Sequence, residues 1–179
     1  MKKIMIIDSS KMWNEMLYST LTNQNYQCIK VQNTKEIIKM YDTTKPDLVL
    51  METTLQTKVE TKNNEEIEVT SEIDTKAGIQ YSEQITHRNK NANIIILALS
   101  IQPADIISLL TIGVQDIIHK HSLSSSQKND ILSERIKESF LTNKKYDITT
   151  AKLKISNMQF NSSFLNQAEI DNILNHSRL

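Results

Sequence analysis

The stretch PDLVLME, residues 46–52, decides the fold class of this chain. Pro46 disfavours continuation of a helix, and the apolar run that follows fits a strand buried on both faces, closing on Glu52. Besides 47–51, similar short apolar runs occur at 4–7, 26–31, 94–99 and 114–118, separated by longer amphipathic stretches. This alternation predicts an α/β fold in which helices cover both faces of a parallel sheet.

Apolar residues at helical spacing predict a helix after each of the five strands. The fourth helix has the clearest boundaries, because Pro103 suits a first helical position and Gly113 suits the position just past the end. The others are expected around residues 12–21, after a cap at Asn33 or Thr34, after Gly78, and from about 125 to 142.

Two segments do not show this alternation of apolar runs and amphipathic stretches. Residues 56–77 carry six acids against three lysines and show no evident apolar period, so we expect a mobile acidic insertion after the third strand. The tail after residue 142 is the second. We therefore predict a domain at 1–142, a linker at 143–164 and an amphipathic peptide motif at 165–175.

The composition argues against several classes of function. The 21 basic residues balance 21 acidic ones, so nucleic acid is not an expected partner. Cys28 is the only cysteine, which excludes an intrachain disulfide and suits a reducing cytoplasm. Two glycines cannot build a glycine-rich phosphate loop, and the first apolar run is too short for a signal or membrane segment. We expect no membrane insertion and no cofactor.

Three stretches, each with an acid or a lysine after an apolar run, together carry a family resemblance. IMIIDSS at 4–10, PDLVLME at 46–52 and GVQDIIHK at 113–120 resemble, in order and spacing, the receiver domain (CheY-like) of bacterial response regulators. The resemblance covers about residues 1–142. It implies a flavodoxin-like (βα)₅ doubly wound sheet with strand order 2-1-3-4-5 and a role in two-component signalling.

The resemblance also implies where a phosphorylation site would lie, and this chain departs from the family pattern there. In the family, two acids after strand one and an aspartate after strand three hold Mg²⁺, and that aspartate accepts the phosphoryl group. A hydroxyl, an aromatic residue and a lysine then respond. The corresponding positions hold Asp8 and Ser9 for the acidic pocket, Glu52 for the acceptor, and Ala98, Ile117 and Lys120 for the switch.

These departures favour a receiver that is not phosphorylated. Losing one acid weakens a Mg²⁺ site, so at most weak binding is expected at Asp8 and Glu52. Glu52 is one methylene longer than aspartate and is predicted to form a permanent ion pair with Lys120. Our hypothesis is a non-enzymatic pseudo-receiver. The alternatives are a phosphoreceiver that uses Glu52 or a serine, an adaptor of another two-component pathway, a flavin protein or enzyme on this fold, and a residual polar cluster without a role.

The tail motif has a resemblance of its own. The segment 165–174, LNQAEIDNIL, resembles the N-terminal peptide of the flagellar motor switch protein, which captures the phosphorylated chemotaxis regulator. This implies partners in chemotaxis, the flagellar motor switch or a histidine-kinase pathway, with docking on the chain's own receiver face or on the regulator. The alternative is an amphipathic helix that packs on its own domain. The expected contact residues are Leu165, Glu169, Ile170, Asp171, Ile173 and Leu174.

Overall fold

The structure is a computed structural model that describes residues 1–63, 66–124 and 128–141, with side chains outside 58–70, 103 and 124–129. The predicted linker at 143–164 and peptide motif at 165–175 lie outside the described residues. The described strands are, in chain order, β1 (Lys3–Ile7), β2 (Gln27–Val31), β3 (Leu48–Glu52), β4 (Leu55–Asn63), β5 (Glu66–Asp74), β6 (Ile94–Ala98) and β7 (Asp116–His119).

Five of these strands form one parallel sheet in the order β2-β1-β3-β6-β7. With β4 and β5 set aside, this is the predicted order 2-1-3-4-5, and the predicted flavodoxin-like fold is confirmed. The three central strands β1, β3 and β6 are almost wholly buried, whereas β2 lies at an edge and is partly exposed. The continuous apolar runs follow from this burial on both faces.

The helices begin and end close to the sequence signals. They are α1 (Lys11–Asn23), α2 (Ile37–Thr44), α3 (Ala77–Arg88), α4 (Pro103–Thr111) and α5 (Lys128–Leu141), with 3₁₀ turns at Thr34–Glu36 and Lys120–Ser124. Ser10 caps α1, and Asn33 caps the first 3₁₀ turn instead of α2 itself. Gly113 follows α4 with φ +94°, a conformation that glycine adopts without strain.

The two faces of the sheet bury separate apolar layers. One layer lies under α1 and α5, where Leu17 and Ile136 pack on the sheet beside Leu50. The other lies under α2, α3 and α4, where Ile37 and Ile85 are among the buried residues. No helix among the described residues is long and apolar enough to cross a membrane.

The segment 56–77 does follow the third strand, but the expectation that it lacks regular structure is wrong within the described residues. β4 and β5 pair antiparallel from Leu55 with Asp74 to Asn63 with Glu66, and α3 begins at Ala77. The acidic composition hid a strand pattern: β-branched residues stand at 57, 59 and 61 and at 67, 69 and 73, and such residues favour extended backbone. Leu55, at the base of the hairpin, is 1% exposed and anchors it to the domain.

Candidate functional site

The candidate site lies where three strands of the parallel sheet end. Asp8 directly follows β1, Glu52 is the last residue of β3, and Lys120 directly follows β7. Because the carboxyl ends of parallel strands meet at one edge of the sheet, residues far apart in sequence converge there. The Lys120 Nζ lies 2.7 Å from Asp8 Oδ2 and 2.5 Å from Glu52 Oε1. The structure thus contains the ion pair between Glu52 and Lys120 that the sequence predicts.

All three charged side chains are removed from solvent. Lys120 is 0% exposed, Asp8 1% and Glu52 6%. The Lys120 Nζ also lies 5.2 Å from the centre of the Trp13 ring, within the range of a cation–π interaction. A buried ammonium needs such partners because its loss of hydration costs several kcal/mol, roughly. Among the described side chains, two carboxylates and an indole ring therefore surround the lysine ammonium group.

Backbone groups hold the carboxylates in place. Glu52 Oε2 accepts a hydrogen bond from the Ser9 N–H at 3.0 Å, and Asp8 Oδ1 accepts one from the Ser10 N–H at 2.9 Å. Ser9 Oγ in turn accepts a hydrogen bond from the Gln56 N–H at 2.7 Å. Ser9 therefore connects Glu52 to the base of the hairpin, a role that its position in the sequence did not suggest.

Burial raises the pKa of Asp8 from 3.8 to about 6, and the hydrogen bond and positive charge of Lys120 limit the rise, while the nearby Glu52 carboxylate adds to it. Desolvation disfavours the charged form of a carboxyl, which is why burial acts in this direction. The cluster of two acids and one lysine therefore takes up a proton at a pH well above that at which a solvated aspartate does.

This pKa shift predicts a specific pH dependence of stability. Between about pH 4 and pH 6 the unfolded chain has released the Asp8 proton and the folded chain still holds it, so the free energy of unfolding falls as the pH rises. One proton gives at most about 1.4 kcal/mol per pH unit. Urea denaturation of the wild type and of Asp8→Asn across this range measures the difference, and parallel stability curves would contradict the assignment.

The residues present do not fit a Mg²⁺ site of the kind that this fold carries in response regulators. The position between Asp8 Oδ2 and Glu52 Oε1 is taken by the Lys120 ammonium, and Ser9 supplies no carboxylate. Within the described part of the chain, no three His, Cys, Asp or Glu side chains form a group that would hold a metal ion. The lysine thus supplies one positive charge between the two acids.

Two of the three expected switch positions, Ala98 and Ile117, lie in the apolar layer under α2, α3 and α4. Ala98 ends β6, is fully buried and pairs with His119 in the sheet, while Ile117 on β7 is 7% exposed. Neither side chain offers a hydroxyl that responds to charge at the acceptor position. The structure therefore brings Asp8, Glu52 and Lys120 together but gives Ala98 and Ile117 the surroundings of core residues.

Two further features of the site are contacts that were not predicted from the sequence. His119 and His121 stack on either side of Lys120 in sequence, with ring centroids 5.2 Å apart, and burial, followed by the charge of His121, lowers the pKa of His119. Gly78, in the first turn of α3, donates its N–H to the Thr53 carbonyl oxygen at 2.9 Å. A Cβ at Gly78 would lie 1.9 Å from the Glu52 carbonyl oxygen, so only glycine fits there.

Comparison with known proteins shows that the chain shares its fold with solved structures at low sequence identity. No protein-family model and no curated protein matches the chain. A CheY-like response regulator receiver domain protein from Methanospirillum hungatei is 15% identical with a TM-score of 0.62, over 80% of this chain and 96% of that chain. TrrA from Thermotoga maritima, solved with Mg²⁺ and BeF, is 20% identical with a TM-score of 0.58, over 78% and 99%.

The chemotaxis protein CheY4 from Vibrio cholerae gives a similar result. It is 13% identical to this chain with a TM-score of 0.58, over 78% of this chain and 98% of that one. The two chains therefore share a fold at an identity too low to carry the activity of one to the other. The chain has the receiver fold.

Proposed function

We propose that this chain is a phosphorylation-independent pseudo-receiver of bacterial chemotaxis or flagellar-motor signalling, which works in the cytoplasm by protein contact through a C-terminal helix that docks on a receiver face. The observation that carries the proposal is the buried Lys120, whose ammonium group is bound by both Asp8 and Glu52. The receiver fold makes a signalling role the natural context for such a site.

The first argument concerns charge. The resemblance to receiver domains implies that this lysine responds to the negative charge that phosphorylation adds at the acceptor position. Here the Glu52 carboxylate already lies 2.5 Å from the Lys120 ammonium. The side chain of Glu52 thus makes permanently a contact that phosphorylation makes transiently. A domain with this contact would remain in one signalling state.

The second argument concerns reactivity. A carboxylate attacks phosphorus with a free lone pair and needs space for an in-line approach. In Glu52, one oxygen is bound by Lys120 and the other by the Ser9 N–H, and the residue is 6% exposed. The ammonium group also occupies the place where a divalent cation would bind the phosphoryl group. Glu52 is therefore a poor phosphoacceptor.

The test is incubation of the purified protein with acetyl phosphate and Mg²⁺, followed by intact-mass spectrometry. We expect no added phosphoryl group on the wild type. The matched variant Ser9→Asp/Glu52→Asp restores the family residues at both positions, and we expect it to gain a hydroxylamine-labile acyl phosphate. A hydroxylamine-labile phosphoryl group on the wild type would overturn the pseudo-receiver assignment, and an acid-stable one would indicate a serine acceptor.

The tail part of the proposal rests on the sequence pattern at 165–174. Ile170 and Leu174 stand four residues apart and would share one face of a helix, the arrangement used in helix-in-groove recognition. Acids near the start of such a helix suit its dipole. The occupied groove would be a receiver face, either that of the same chain or that of the active chemotaxis regulator.

A labelled peptide of residues 161–179 tests this part by titration against the regulator, with and without beryllofluoride. It is also titrated against the full chain carrying Ile170→Ala and Leu174→Ala, whose own tail no longer competes. We expect saturable binding to one of them, weakened about tenfold for each anchor replaced by alanine in the peptide. Equal binding of the wild-type and doubly substituted peptides, or no binding to either protein, would reject tail docking.

A further inference from the structure

The outer edge of β5 is not used by the proposed function. β5 pairs with β4 on one side, and no strand pairs with its other side among the residues that the structure describes. β4 also contacts the 3₁₀ turn at Thr34–Glu36, where Thr34 Oγ1 and Thr57 Oγ1 lie 3.4 Å apart. An open strand edge offers a row of backbone N–H and C=O groups to a further strand.

The charge on this edge selects the kind of strand that fits. β5, with the sequence EIEVTSEID, carries acids at 66, 68, 72 and 74 and no basic residue. β4 carries Lys58, Lys62 and Glu60, which leaves most of the negative charge of β5 uncompensated. Opposite charges on neighbouring strands stabilise a sheet and like charges destabilise it. A third strand with basic residues at alternate positions is therefore favoured.

The chain itself contains a segment with this pattern. Residues 148–156, ITTAKLKIS, combine β-branched residues with Lys152 and Lys154 at alternate positions and have no acid. Their basic and apolar alternation, KLKI, complements the acidic and apolar alternation EIEV at the start of β5. A two-stranded sheet has little stability of its own, so a third strand would also strengthen the hairpin.

The segment is within reach of the hairpin. α5 ends at Leu141, next to Phe140, whose ring lies 6.1 Å from that of Tyr26 just before β2. The hairpin contacts Thr34 just after β2. The path from the end of α5 to the hairpin therefore follows β2, a strand of five residues that is about 17 Å long. The six residues 142–147 that precede the segment span up to about 20 Å when extended, which is more than the length of that strand. The connection can therefore run the length of β2 without crossing the domain.

We propose that residues 148–156 of the same molecule add to the outer edge of β5 as a third strand. The predicted linker would then leave only residues 157–164 between the hairpin and the peptide motif. Because Gln56 donates to Ser9 and Ser9 donates to Glu52, this strand would also attach the tail to the charged cluster. This inference goes beyond the proposed function and does not depend on it.

The test is amide hydrogen exchange of the full-length protein, measured by mass spectrometry with peptide-level resolution. We expect residues 148–156 to exchange at least tenfold more slowly than an unstructured chain of that sequence, independently of protein concentration. Lys152→Glu/Lys154→Glu is expected to abolish this protection and to speed exchange in β5. The matched control Lys144→Glu/Lys145→Glu makes the same charge change outside the segment and is expected to leave the protection intact.

A charge exchange separates pairing with β5 from other causes of protection. Adding Glu68→Lys and Glu72→Lys to the Lys152→Glu/Lys154→Glu protein is expected to restore protection of 148–156. Exchange of 148–156 at the unstructured rate in the wild type would overturn the proposal, as would protection that survives Lys152→Glu/Lys154→Glu. Protection that appears only at high protein concentration would show pairing between two copies and would overturn the intramolecular assignment.

Discussion

Replacing Lys120 by methionine is expected to lower the free energy of unfolding by about 3–5 kcal/mol near neutral pH. The substitution leaves the buried carboxylates of Asp8 and Glu52 without the ammonium group that contacts both of them. Removing one partner of a buried ion pair costs more than the pair itself contributes, because the remaining charge stays desolvated. Urea denaturation followed by fluorescence measures the change, and Trp13, the only tryptophan, lies beside the site.

Two controls define this result. Lys2 pairs with Asp47 at 2.8 Å, but both side chains are substantially exposed, so Lys2→Met is expected to cost less than about 1 kcal/mol. Combining Lys120→Met with Asp8→Asn and Glu52→Gln removes the unpaired charges and is expected to recover most of the loss. A cost for Lys120→Met no larger than that for Lys2→Met would mean that the ion cluster contributes nothing to stability.

Replacing Gly78 by alanine is expected to lower the free energy of unfolding by about 3 kcal/mol, near the upper end of the usual cost of overpacking. The added Cβ would lie 1.9 Å from the Glu52 carbonyl oxygen and 2.9 Å from Thr53 Cα. Both are backbone atoms at the end of a central strand, so neither can rotate away. Either α3 or the end of β3 must therefore move, and Glu52 would move with it. Denaturant unfolding measures the loss.

Gly113→Ala is the matched control for this substitution. Nothing lies within 4 Å of a Cβ at Gly113, and its φ of +94° is the only obstacle to alanine. Such backbone strain costs about 1–2 kcal/mol. We therefore expect the Gly113 variant to be the more stable of the two. The reverse order would show that the contact between α3 and the end of β3 is loose enough to accept a methyl group.

The site and the hairpin are linked by a short chain of hydrogen bonds. Glu52 accepts from the Ser9 N–H, and Ser9 Oγ accepts from the Gln56 N–H at the base of β4. The Glu52 carboxylate is therefore connected to the base of the hairpin through Ser9, and it contacts Lys120 directly. Ala98 and Ile117, the other two positions expected to act as switches, are core residues.

Part of the site was predictable because it depends on local rules. The resemblance to receiver domains marked Asp8, Glu52 and Lys120 at the ends of three apolar runs, and the length of a glutamate side chain predicted its contact with the lysine. The hairpin was not predicted because the acidic residues of 56–77 were taken to indicate disorder, and the alternation of β-branched with polar residues was not used. β-branched residues at 57, 59 and 61 were the signal that composition concealed.

Other features follow from contacts between distant residues. Trp13 on α1 lies over Lys120 because α1 packs on the sheet face next to the strand ends, and Gly78 is required because α3 starts against β3. The peptide motif at 165–175 stays a prediction from sequence alone.

The resemblance to receiver domains marked the charged residues at the strand ends, whereas the sequence by itself determined the fold class and the order along the chain of the five sheet strands and their helices. These depend on apolar runs and turn signals that act within about ten residues. Only the tertiary structure decided that one ammonium group, 68 residues from Glu52 along the chain, is buried between two carboxylates. The strength and the consequence of that contact depend on the exclusion of water, and burial arises only when the whole sheet and its helices are assembled.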